Sequence, residues 1–262
     1  MSVIVTSFMS NINNSKSIDL YMNYGTLLLS NCQTVILFIE RYVYDLYFPK
    51  INEPTEYFTH KTKIYEYFTK NNVTYVFFEK KDNYLYAHID KITNFHEYIA
   101  PDGKDTLEYM FTMCYKTEWL MIASTFFNYK KPLIWIDLGI YHIFNNNYKL
   151  FCDSMKSIQS VVNYNNKIII GSIIDPVTKM LINQESLYKK PIWFFAGGVV
   201  GGMPDEIALF ARLMENECIS LIDTKKHLTW EVNMWYLVYL KNPDLFKLYE
   251  CDHDSTIISN YK

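Results

Sequence analysis

Residues 34–39, Thr-Val-Ile-Leu-Phe-Ile, form a continuous apolar run set between Gln33 and Glu40. Such a run has the length of a strand, and without polar alternation neither of its faces can meet water. A strand covered on both faces belongs to a sheet with helices over each side, which makes the chain an α/β protein. The neighbouring sequence supplies the parts. Residues 3–6 read as a first strand and residues 17–30 as a helix with Ile18, Tyr21 and Leu28 on its inner side, so the chain opens as a βαβ unit.

The alternation continues. Residues 52–70 are charged and tyrosine-rich and are expected to form helix and loop before another strand at 73–78. Residues 105–128 read as one long helix or two, with Trp119, Ile122, Ala123 and Phe126 at spacings of three and four; Lys131-Pro132 stops it and residues 133–136 form a strand. Strands are expected at 167–170 and 192–196, separated by a turn at Asp175-Pro176. Pro204 suits the first position of a helix whose inner stripe is Ile207, Phe210, Ala211 and Met214, with Asp205 and Glu206 favouring its positive end. A last helix is predicted over 230–241 behind a Thr229 cap, with Val232, Trp235, Tyr236, Tyr239 and Leu240 on one face, ended by Asn242-Pro243. No repeat or linker divides the 262 residues. The expectation is a single α/β domain over 1–262 with a mixed, mainly parallel sheet flanked by helices.

Half the residues are apolar and a fifth are charged, which excludes a disordered chain, and a net charge of -3 argues against nucleic acid as a partner. The five cysteines never form a CxxC, which points to buried thiols in a reducing, cytoplasmic setting rather than to disulfides or zinc. The longest apolar runs, 192–200 and 234–240, fall far short of the ~20 residues that span a bilayer, so neither a transmembrane segment nor a signal peptide is expected.

In an open α/β sheet the ligand lies beyond the carboxyl ends of the strands. Asp137, in Trp135-Ile136-Asp137-Leu138-Gly139, stands at such an end. Its carboxylate can hold a divalent cation against a diphosphate, with Gly139 letting the ligand approach the backbone, or it can cap a turn. Four of the chain's eight glycines fall within residues 197–202. That stretch reads as a loop between strand and helix, pressed against a ligand or forming a tight or bulged connection. Its order, GGxxGG, departs from the GxGxxG of a dinucleotide-binding turn, so a Rossmann-type oxidoreductase is a weak alternative.

The segments Lys116-Thr117-Glu118-Trp119-Leu120, residues 135–140, residues 196–202, and Thr229-Trp230-Glu231 through Asn242-Pro243-Asp244-Leu245-Phe246 occur in the order seen in the HtrL/YibB-like proteins. The opening Val5-Thr6-Ser7-Phe8, with residues 21–30 and 35–40, resembles the N-terminal βαβ unit of the same proteins. They are classed with glycosyltransferases related to the GT-A nucleotide-diphospho-sugar transferases. The resemblance spans nearly the whole chain and implies a GT-A-like fold.

It also implies a site. Asp137 matches the acidic residue that holds Mn²⁺ or Mg²⁺ against the donor diphosphate, although Gly139 stands where a second Asp is usual. His253 is similar to the C-terminal histidine that completes the metal site in some GT-A enzymes; alone, it reads as an exposed polar residue. Thr6 and Ser7 at the first strand's end, with Gly139, Gly197 and Gly198, would line the donor, and Lys116 would pair with its diphosphate or serve as a surface lysine. Glu231 would act as a base for the acceptor hydroxyl or a ligand for sugar hydroxyls, or simply favour a helix start. The implied function is transfer of a sugar from a nucleotide-diphosphate donor to a saccharide or other hydroxyl acceptor. The alternative from another class is a catalytically silent nucleotide- or sugar-binding module.

Overall fold

The computed structural model describes residues 1–10, 17–95, 105–126, 130–173 and 185–262, the side chain of Phe126 excepted. Nine strands, β1 (Val3–Phe8), β2 (Val35–Ile39), β3 (Glu56–His60), β4 (Lys63–Lys70), β5 (Val73–Phe77), β6 (Leu133–Ile136), β7 (Ile168–Ser172), β8 (Phe195–Gly202) and β9 (Phe246–Glu250), make one sheet in the order β3-β4-β5-β2-β1-β6-β8-β7-β9. The run that demanded cover on both faces is β2, buried at all its positions between the parallel strands β1 and β5. The α/β class and mixed sheet are as expected. The parallel majority is not: among the described strands four neighbouring pairs are parallel and four antiparallel.

Strands β1 and β6 run parallel with Val5 opposite Trp135, so their carboxyl ends share one rim. The chain leaves β1 toward β2 and β5 and later returns to its other side as β6, which makes this rim a topological switch point. Side chains alternate along β6. Leu133 and Trp135 enter the apolar layer beneath α4 (Lys116–Phe126), α7 (Pro204–Lys225) and α8 (Glu231–Lys241), whereas Ile134 and Ile136 face the layer beneath α1 (Ile18–Ser30) and α5 (Tyr148–Ser160).

Local signals fix several helices. Ser17 accepts the Leu20 N–H as the N-cap of α1, and Pro204 opens α7, whose buried stripe of Ile207, Phe210, Ala211 and Met214 continues through Cys218, Leu221 and Ile222. The helical stretch before β6 is two helices, α3 (Leu107–Cys114) and α4, meeting at Tyr115. The predicted cap Thr229 does not cap α8: its hydroxyl donates to the Leu187 carbonyl at 2.6 Å, and Trp230 occupies the cap position. Nor does α8 bury a single face. Residues 231–238 are buried all round while Leu240 is exposed, because the helix is enclosed by neighbours on every side. Among the described residues all five cysteines are free thiols, and no helix is long and apolar enough to cross a membrane.

Two segments differ from expectation. Residues 52–70 are not helix and loop but the antiparallel pair β3–β4, joined across Lys61-Thr62, with β4 joined to β5 across Asn71-Asn72. Lys61 and Asn71 take positive φ at these turns, so neither hairpin carries a glycine to announce it. The glycine segment 197–202 is not a loop after a strand; it is β8 itself. Between the pairs Ile170–Val200 and Ser172–Phe195, β7 has one intervening residue and β8 has four, which marks a bulge at 196–199. The Asp175-Pro176 turn lies outside the described residues.

The glycines answer to close packing. A Cβ on Gly201 would lie 2.7 Å from the Leu133 carbonyl oxygen, a backbone atom that cannot swing aside, and would also collide with the Tyr261 hydroxyl. Gly201→Ala is therefore expected to destabilise the protein by about 1–3 kcal/mol through overpacking. Urea unfolding at unchanged m-value checks this, and an unaltered midpoint would show that the strand can shift.

Candidate functional site

Helix α4 lies over the sheet with Trp119 stacked on Trp135, ring centroids 5.6 Å apart and planes 7° off parallel. One turn before Trp119, Lys116 shares its helix face, and two residues beyond Trp135, Asp137 shares its strand face. The stacking therefore brings the Lys116 ammonium to the Asp137 carboxylate, 3.0 Å from Oδ1 and 3.2 Å from Oδ2. The remaining N–H groups of Lys116 donate to Glu231 Oε1 at 3.0 Å and to the Gly197 carbonyl at 2.9 Å, so all three of its donors are used. Lys116 is 1% exposed and thus not a surface lysine. Burial alone would lower its pKa, but the charges of Asp137 and Glu231 outweigh burial and hold it above the ordinary lysine range.

Glu231 is the first residue of α8, where the helix dipole favours a carboxylate, and its side chain is 8% exposed. The dipole and the buried ion pair act together on it. Gly197 makes room for this carboxylate, since a Cβ there would stand 2.7 Å from Glu231 Oε1. Asp137 is more open at 38%. Its Oδ1 also accepts the Trp135 indole N–H at 2.7 Å, and among the described residues neither oxygen accepts a backbone N–H of the turn that follows. Turn capping is not what this side chain does.

These groups floor a cleft of about 340 Å³ at the switch-point rim, within the size range of small-molecule sites. Ser7, Asp137, Gly139, Gly197, Gly198, Glu231 and His253 all line it, with Lys116 bonded beneath. Thr6 does not. Strand alternation turns it into the core at 0% exposure, with no hydrogen-bond partner for its hydroxyl among the described residues. The walls add Phe8, Tyr21, Tyr109, Trp135, His142 and Trp193, none of them singled out from the sequence as a site residue. The sequence carries no signal for them beyond an aromatic content of 17%. Burial first, then the nearby carboxylates of Glu231 and Asp137, hold the Tyr109 phenol well above its usual range. Gly139 has a specific neighbour: a Cβ there would sit 2.9 Å from Tyr21 Cε1, so the tyrosine ring occupies the space a side chain would need.

Two carboxylates against one ammonium leave a negative charge on the floor, and the described lining includes no lysine or arginine. Among the described residues no three of His, Cys, Asp or Glu converge as a self-sufficient metal centre. The donor set does fit a hard cation that arrives with its own ligands. Mg²⁺ commonly uses one or two protein carboxylates plus substrate phosphates, and Asp137 offers one carboxylate open to the cleft.

No protein-family profile matches the chain, and no curated protein matches it. Among solved structures it is similar to mouse xyloside xylosyltransferase 1, at 10% identity with a TM-score of 0.42, covering 95% of this chain and 85% of that one. A likeness of that size carries no argument about activity, and the resemblance to the HtrL/YibB-like proteins rests on the motifs alone.

Proposed function

We propose that this cleft transfers a glycosyl group from a nucleotide-diphosphate sugar to a hydroxyl acceptor, on a GT-A-like arrangement of the fold. The observation that supports it most is the convergence of Lys116, Asp137, Gly197 and Glu231, from four separate elements, beneath an aromatic-walled cleft at the switch-point rim. In the reaction the bond from the anomeric carbon to the diphosphate oxygen breaks and the diphosphate leaves with the electron pair. The acceptor oxygen forms the new bond and gives up its proton.

Asp137 and His253 would hold a Mn²⁺ or Mg²⁺ ion carried by the diphosphate, and that ion, when bound, neutralises charge growing on the leaving group. Asp137 is kept in place for this by the Trp135 indole and by Lys116. Lys116 acts from below, fixing both carboxylates at once. Ser7 and Gly198 form the donor wall near the strand ends, and Glu231 is the carboxylate available to accept hydrogen bonds from sugar hydroxyls and to take the acceptor proton. Tyr21 and Tyr109 exclude water from one side of the cleft.

A thermal-shift screen of nucleotide sugars, with Mn²⁺ and with a chelator, tests the reading. A matching donor at one hundred times its Kd contributes about 2.7 kcal/mol, which raises Tm by roughly 5–10 °C in a protein of this size. The shift is expected to need the cation, because the described lining of the cleft includes no lysine or arginine to meet a diphosphate. Absence of any shift across the screen would remove the transferase.

A further inference from the structure

Four of the five tryptophans, Trp119, Trp135, Trp230 and Trp235, are buried, but Trp193 is 40% exposed and lies in the wall of the cleft. Its indole meets the His253 ring edge to face, with centroids 4.7 Å apart at 90°. An exposed indole of this kind normally has freedom to fold away. Here the segment before it is fastened by Asn233, a fully buried residue of α8 two positions after Glu231. Asn233 Oδ1 accepts the Ile192 N–H at 2.7 Å, and its amide donates to the carbonyls of Leu187 at 2.8 Å and Lys190 at 2.9 Å. The fold thus holds a large apolar ring half in water, in fixed relation to the helix that carries Glu231.

We infer that Trp193 is the platform for the acceptor, and that the acceptor is a saccharide whose pyranose ring lies on the indole with its hydroxyls toward Glu231; this rests on the transferase reading above. The chemistry favours a sugar over a phosphate-bearing group at this place. A sugar ring offers electropositive C–H groups to a negative aromatic face and hydroxyl donors to a carboxylate. A second phosphate-bearing group, arriving without a cation of its own, would meet the surplus negative charge of the floor with no lysine or arginine in the described lining to receive it.

The test is saturation-transfer NMR on the whole protein with cellobiose, lactose, maltose and xylobiose. Binding of at least one is expected, weakened about tenfold or more in Trp193→Ala and within about threefold of wild type in Trp193→Phe, which keeps a ring at that position. Circular dichroism confirms that each variant is folded. Absence of binding by all four sugars, equal binding by Trp193→Ala, or loss in Trp193→Ala of a nucleoside diphosphate and not of the disaccharide would each overturn the platform. The nucleotide-sugar thermal shift, run on the same samples, separates the two ideas. A retained shift without disaccharide binding removes the platform and leaves the transferase; disaccharide binding through Trp193 without any shift leaves a sugar-binding surface but overturns both the transferase and the acceptor role inferred here.

Discussion

Lys116→Met is expected to lower the stability of the protein by about 3–5 kcal/mol, the usual cost of removing one partner from a buried ion pair. For a chain of this length that corresponds to a Tm lower by roughly 6–20 °C. The reason lies less in the lysine than in what it leaves behind. Glu231 stays enclosed at 8% exposure beside a Gly197 carbonyl that has also lost its donor. Asp137, which is open to solvent and keeps the Trp135 N–H, suffers less. Lys116→Met combined with Glu231→Gln should therefore lose clearly less than the sum of the two single changes, as expected of residues in direct contact. A single-variant loss below about 1 kcal/mol would mean that the ammonium is solvated in the native protein. The pH dependence has a definite sign. Because the folded pKa of Lys116 is raised, its stabilisation is complete below the ordinary lysine range and is lost only as pH rises through the folded value. This lysine therefore adds no slope to stability near neutral pH.

Asp137→Asn should abolish turnover, by about a thousandfold or more, while moving Tm by only a few degrees. Asparagine keeps an oxygen for the Trp135 indole, and Lys116 keeps Glu231 and the Gly197 carbonyl, so the local framework survives. What disappears is the charge exposed to the cleft, and with it the means of holding a cation against a diphosphate. Loss of charge stabilisation at a leaving group costs about 4 kcal/mol of barrier for a thousandfold change, each 1.36 kcal/mol being a factor of ten. Activity is measured at saturating donor and Mn²⁺, with Tm recorded alongside. A folded Asp137→Asn variant that retains most of its rate would place the reacting centre elsewhere.

Much of this was legible in the sequence wherever a local signal sets local structure. Residues 133–136 read as a strand and are one, because an apolar tetrapeptide behind Lys131-Pro132 has few other options. The stripe of α7 follows from its period. The resemblance to the HtrL/YibB-like proteins assigned Lys116, Asp137, Gly197 and Glu231 to one site, and the structure brings these four together. The glycine segment misled because glycine usually marks a turn; here it marks a bulged central strand against which Ile140, Ile168, Tyr261 and Glu231 press too closely for a Cβ. The β3–β4 hairpin was hidden by turns built on Lys61 and Asn71. Strand β9 and helix α5 drew no expectation, the one being a short edge strand and the other having neither proline nor glycine to frame it. The grip of Lys116 on Glu231 joins residues 115 positions apart, and no periodicity reports a contact of that range. That Thr6 is core and Ser7 cleft depends on strand register, which a one-residue error reverses.

The ring of Tyr21 against Gly139 also constrains how this chain can change over time. A second carboxylate two positions after Asp137 would bring its Cβ to 2.9 Å from Tyr21 Cε1, so it enters only as the tyrosine ring turns aside or is replaced by something smaller. Either change opens the cleft wall beside Asp137. Substitutions at positions 21 and 139 are therefore expected to be coupled, an acidic residue at 139 being better tolerated once Tyr21 has given way.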